Sequence, residues 1–146
     1  MDGVTNPAEA FFKDGAWGWD GTKWRKNPLI WGYSDAYCVR LAEDDADAGV
    51  NVLSADAVPA GIVRTITSIV CLDENTAITY LQSGFSRGAT FILIGRYYPT
   101  AAGEVASWVC NIVLKEGDIL SLTFAGCGAL DNLRAYFSGY DMSIIE

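Results

Sequence analysis

The chain has 146 residues and a mass of 15.8 kDa, room for one domain with an attached arm and too little for two. Its 51% hydrophobic and 19% charged residues, and its mean hydropathy of +0.18, imply apolar surface that a partner covers. The net charge of -8 opposes nucleic-acid binding, and the lack of any histidine removes the commonest general base and metal ligand together.

Charge divides the chain into three stretches. Residues 1–32 hold four acids and four bases, residues 33–60 six acids and one base, and residues 61–146 eight acids and five bases. The first stretch is also the most aromatic, with Phe11, Phe12, Trp17, Trp19, Trp24 and Trp31 set among Pro7, Gly15, Gly18, Gly21 and Pro28. Such glycines and prolines break helix and strand alike. A single helical turn is predicted over Asn6–Phe12, and a small hairpin about Asp20-Gly21 joins Trp17–Trp19 to Trp24–Arg25. The segment has too little sequence to form a core. It reads as an arm over residues 1–32 that contacts a partner through Phe11, Phe12, Trp17, Trp19, Trp24, Arg25 and Trp31. Two other readings stay open for its tryptophans: stacking on sugar rings, or packing into the chain's own core.

Residues 33–146 have the rhythm of an all-β domain. Tyr33–Leu41 is the first strand, followed by an acidic loop from Glu43 to Gly49, then a short strand over Val50–Leu53 and a turn at Val58-Pro59-Ala60-Gly61. Ile62–Leu72 is a long strand rich in β-branched residues, ended by Asp73-Glu74-Asn75. Strands over Ala77–Gln82, Thr90–Tyr98 and Glu104–Leu114 come next, separated by glycine-bearing loops. Lys115–Asp118 turns into Ile119–Ala125, where Leu120, Leu122 and Phe124 alternate with Ile119, Ser121 and Thr123. Arg134–Ile144 ends the domain, with Tyr136, Ser138 and Tyr140 set against Ala135, Phe137 and Gly139. About eight antiparallel strands at this spacing predict a sandwich, a jelly roll in particular.

No constellation for catalysis is present. Triads fail for want of histidine, and the phosphate-binding glycine patterns are absent. Nothing selects a glycosidase pair among the 18 acids. The chain therefore reads as non-enzymatic, without a cofactor. Asp45, Asp47 and Gly49 alternate as in a calcium loop, but Val50 stands where the loop needs glycine and Asp56 misses the last ligand position by one. A solvated acidic loop is expected there. Cys38, Cys71, Cys110 and Cys127 form no C-x-x-C pair, and with no histidine a structural zinc is not expected. Buried thiols and one or two disulfides both stay open. The first residues carry Asp2 where an export signal is basic, and apolar runs such as Phe91–Ile94 are strand-sized, so neither export nor a membrane contact is expected.

Two sets of residues carry a family resemblance. Trp19-Asp20-Gly21-Thr22-Lys23-Trp24-Arg25-Lys26 resembles a "Y/W-D-G-T-x-W-R-K" segment near the start of some small tailed-phage virion proteins. Val58-Pro59-Ala60-Gly61, Val113–Asp118 and Tyr136–Met142 are together similar to the "VPAG … L-x-x-GD … SGYE" pattern of phage β-sandwich proteins that decorate heads or form fibre tips. The resemblance implies a virion component made in the host cytoplasm. It would be a capsid decoration or cement protein, associating as a homotrimer and binding other virion proteins such as the major capsid protein. A receptor-binding fibre or spike head and a carbohydrate-binding module are the rival readings.

Overall fold

A computed structural model describes residues 17–19, 24–26 and 35–143. Two short strands, β1 (Trp17–Trp19) and β2 (Trp24–Lys26), pair antiparallel, with Trp17 opposite Lys26 and Trp19 opposite Trp24. That is the expected hairpin. Phe11, Phe12, Trp31 and the helical turn over Asn6–Phe12 lie outside the described residues.

Eight longer strands follow: β3 (Asp35–Ala46), β4 (Gly49–Ser54), β5 (Ile62–Asp73), β6 (Tyr80–Arg87), β7 (Thr90–Tyr97), β8 (Ala106–Leu114), β9 (Ile119–Cys127) and β10 (Asp131–Ser143). They form two antiparallel four-stranded sheets, ordered β3-β10-β5-β8 and β4-β9-β6-β7. Successive strands change sheet at each step except the hairpin from β6 to β7. This interleaving is the double-sheet jelly roll. No helix of the described residues is long and apolar enough to cross a membrane.

The core lies between the sheets and is made by alternate residues of each strand. Leu120, Leu122 and Phe124 of β9 are buried against Leu133, Ala135 and Phe137 of β10, Ile66 and Ile69 of β5, and Leu81 and Phe85 of β6. Phe124 and Phe137 are the largest fully buried side chains. Burial of a ring this size stabilises the fold by about 3 kcal/mol. The alternation in β9 and β10 that the sequence displays therefore sets which face turns inward.

Three local expectations differ from the structure. The acidic stretch is mostly strand: β3 continues to Ala46, because Glu43, Ala42 and Leu41 pair with Leu133, Arg134 and Ala135 of β10. The turn is confined to Asp47-Ala48, flanked by Asp45 at φ 61° and Gly49 at φ 111°. The predicted strand Ala77–Gln82 is displaced to Tyr80–Arg87, so Gly84 lies inside a strand and not in a loop. Its missing side chain is needed there, since a Cβ would stand 2.2 Å from Cζ of Phe91. Finally, β8 begins at Ala106, because Glu104 is occupied in the preceding turn. Its carboxylate accepts the Tyr97 hydroxyl and the amides of Thr100 and Ala101.

Candidate functional site

The outward face of the β4-β9-β6-β7 sheet follows from register. The inward set on β9 is Leu120, Leu122 and Phe124, so Ile119, Ser121, Thr123 and Ala125 point away from the core. Their partners on β4 are Ser54, Val52 and Val50, and on β6 they are Ser86, Gly84, Gln82 and Tyr80. Beyond β6, the edge strand β7 adds Phe91 opposite Ser86, Leu93 opposite Gly84 and Arg96 opposite Gln82. The face carries apolar and small neutral groups with a single charge, Arg96. That guanidinium donates to Gln82 Oε1 and lies 4.4 Å from the centroid of the Tyr80 ring.

Several of these side chains are open to solvent. Val50 is 65% exposed, Val52 56%, Leu93 54% and Phe91 44%. Four strands at roughly 4.8 Å spacing and six to nine residues long make a face on the order of 500 Å². A patch of that extent is at the upper range for an ordinary monomer surface. The outward face of the other sheet also shows apolar groups, among them Val109, Val113 and Tyr136. It carries Arg40 and Arg134 as well, and Arg134 pairs with Asp44 at 2.7 Å and Glu74 at 3.2 Å.

Ionisable groups are buried in three clusters. Arg64 holds Asp141 in a two-pronged pair at 2.8 and 2.9 Å, with its guanidinium carbon 3.6 Å from the centroid of the Tyr37 ring. Arg87 holds Asp118 at 2.6 Å, and the Lys115 amide donates to the same carboxylate at 2.9 Å. The Arg87 hydrogen bonds hold the Asp118 carboxyl below the usual carboxylate range. Both clusters balance their charge internally.

The third cluster does not. Asp73 at the end of β5, Cys127 at the end of β9 and Asp131 at the start of β10 present an oxygen, a sulfur and an oxygen that lie within 4.8 Å of one another. All three are buried. Asp73 Oδ1 accepts the amides of Asn75 and Thr76, the Thr76 hydroxyl donates to Asp131 Oδ1, and the Gly128 amide donates to Asp131 Oδ2. Asp73 Oδ2 has no hydrogen-bond partner. Burial pushes the Asp73 carboxyl up, its two backbone amides pull it back, and Asp131 raises it further through repulsion and a carboxyl-to-carboxyl hydrogen bond. Burial likewise pushes up the Cys127 thiol.

Of the residues expected to contact a partner, Trp17, Trp19, Trp24 and Arg25 lie in the β1–β2 hairpin. The four cysteines are unpaired, so the disulfide alternative does not hold. Cys71 and Cys127 are buried and Cys110 is partly so, whereas Cys38 is exposed, contrary to the buried-thiol expectation. Asp45 and Asp47 are exposed. Sequence reasoning missed both the nearly uncharged face and the Asp73–Cys127–Asp131 cluster. A signal for the face was present, since Val50, Val52, Ile119, Phe91 and Leu93 occupy positions opposite in parity to the core set.

A scan against models of protein families found none that matches, and a search of curated proteins found no match. Among solved structures the chain is similar to the NLP core of Drosophila, a protein whose structure bears on pentamer formation and histone binding. The two are 17% identical with a TM-score of 0.43, over 75% of this chain and all of that one.

Proposed function

We propose that this chain is a non-enzymatic structural subunit that associates with copies of itself through the outward face of the β4-β9-β6-β7 sheet. The observation that carries this reading is the nearly charge-free state of that face. A chain of net charge -8 repels its own copies over most of its surface. The face without acids is where two copies meet at least electrostatic cost, and burial of Val50, Val52, Phe91 and Leu93 supplies the attraction.

The patch, on the order of 500 Å², is smaller than the roughly 800 Å² per partner of a standard stable interface. Pairwise contact is therefore weak, and assemblies with many copies gain by multivalency. That behaviour suits a capsid decoration protein. The virion setting, a homotrimer, and contact with a major capsid protein rest on the short tailed-phage resemblance at Trp19–Lys26, Val58–Gly61, Val113–Asp118 and Tyr136–Met142. The aromatic arm would anchor such a subunit to its neighbour. Synthesis in the host cytoplasm belongs to the same reading.

Light scattering of the full chain over a range of concentrations tests the association. A mass that rises towards about 47 kDa, three times 15.8 kDa, supports a trimer. A folded monomer at every concentration defeats self-association. Mass spectrometry of particles purified from the producing culture tests the virion setting separately, and absence of the chain from them defeats it.

A further inference from the structure

The unbalanced cluster differs from the other two. Among the described residues, Arg64 neutralises Asp141 and Arg87 neutralises Asp118, while the ion pairs of these residues include neither Asp73 nor Asp131. Two carboxylates buried side by side need a positive charge or a shared proton, since the interior solvates neither anion. A shared proton accounts for two oxygens. At the third corner stands the sulfur of Cys127, whose thiol donates a long 3.6 Å bond to the Phe124 carbonyl oxygen and whose thiolate can bind a metal instead.

We propose that Asp73, Asp131 and Cys127 form a binding site for a divalent transition-metal ion of the zinc class, which clamps the two sheets together at one end of the sandwich. The donors are one thiolate and two carboxylate oxygens, a mixed set that zinc accepts and that calcium or magnesium, which take oxygen alone, does not. Asp73 Oδ2 is buried without a partner and belongs to a residue 2% exposed, as expected of an oxygen kept for a ligand. Asp73 Oδ1 accepts from Asn75 and Thr76, and each Asp131 oxygen accepts one bond, from Thr76 or Gly128, and keeps a second lone pair for an ion, so outer hydrogen bonds fix the orientation of both acids. Asp73 and Asp131 come from the β3-β10-β5-β8 sheet and Cys127 from the other, so one ion ties β5 and β10 to β9. Three protein donors leave one position of a tetrahedral ion for water.

Because the donors are closed from solvent, loading belongs to folding, and the test refolds the full chain from urea with zinc chloride or with a chelator. After desalting, elemental analysis is expected to give one zinc per chain, with a higher thermal midpoint than the chelated sample. Asp73→Asn and Cys127→Ser are each expected to lower zinc affinity by about 10-fold to 100-fold or more. Refolding with cobalt gives a thiolate-to-metal absorption band in the near ultraviolet that Cys127→Ser abolishes and Cys38→Ala, at the exposed thiol, leaves intact. Metal content at background, or a cobalt band that follows Cys38, overturns the proposal. So does calcium uptake without the thiolate band. Should Cys127→Ser fail to fold, Asp73→Asn alone decides: zinc retained at parental affinity refutes the site.

Discussion

Replacing Leu93 by aspartate places a negative charge on the β7 edge of the nearly uncharged sheet face without touching the core. Leu93 is 54% exposed. Full burial of a leucine is worth about 1.5–3 kcal/mol, so contact with a second copy recovers about half, roughly 1 kcal/mol. An aspartate there has no cation to meet, because the nearby Arg96 is engaged by Gln82 and Tyr80. Covering it costs about 2 kcal/mol or more. The sum, about 3 kcal/mol for each copy that brings residue 93 to a contact, is roughly a 100-fold loss of association constant. The assay is sedimentation velocity of the full chain and of Leu93→Asp across a concentration series. The onset of association is expected to move up by about two decades of concentration. Val109→Asp is the control, since Val109 is 95% exposed on the outward face of the other sheet. It is expected to leave the curve unchanged, and both variants keep a thermal midpoint close to the parent's because neither residue supports the core. An unchanged curve for Leu93→Asp, or dissociation by Val109→Asp in its place, refutes the assignment of the face.

Other outcomes test the interior. Removing the cation from the second cluster with Arg87→Ala leaves Asp118, 1% exposed, with only the Lys115 amide. A loss of stability is expected in urea unfolding, and a much smaller loss for Arg87→Ala combined with Asp118→Asn; equal losses would mean that the pair is not coupled. Gly139→Ala inserts a Cβ 1.9 Å from the Thr65 carbonyl oxygen, backbone that cannot yield, and β5 and β10 must part. About 3 kcal/mol or more is the expected cost, and a change under about 1 kcal/mol contradicts the packing. Glu104 is held down to about 2, first by the Tyr97 hydroxyl and then by the Thr100 amide. Its folded value is depressed, so its stabilisation is full above its ordinary value of 4.5 and is lost as pH falls through about 2. Carboxyl NMR titration should find that midpoint, and Tyr97→Phe should raise it; a parental midpoint near 4.5 would rule the contact out.

The parts of the fold that were legible in the sequence are those governed by period. Leu120, Leu122 and Phe124 alternate with Ile119, Ser121 and Thr123 because a strand turns successive side chains to opposite faces, and that pattern survives any sheet order. The β-branched run of Ile62–Leu72 likewise requires a strand wherever it is placed, and the number of strands with their spacing reaches a sandwich, whereas the jelly-roll order comes only from the strand pairings. Periodicity cannot say what lies across from a residue. Gly84 reads as a loop in isolation and is a strand residue because the Phe91 ring covers it. Glu43 and Asp44 read as a solvated loop and are strand because Leu133 of β10 pairs with Glu43 and Arg134 engages Asp44. Most of all, the uncharged face needs four strands distant in the chain to lie side by side, and the buried trio needs the ends of β5, β9 and β10 to converge. Asp73, Cys127 and Asp131 are unremarkable one by one. Sheet order alone removes water from them together, and desolvation, unlike alternation, is a property of the assembled neighbourhood.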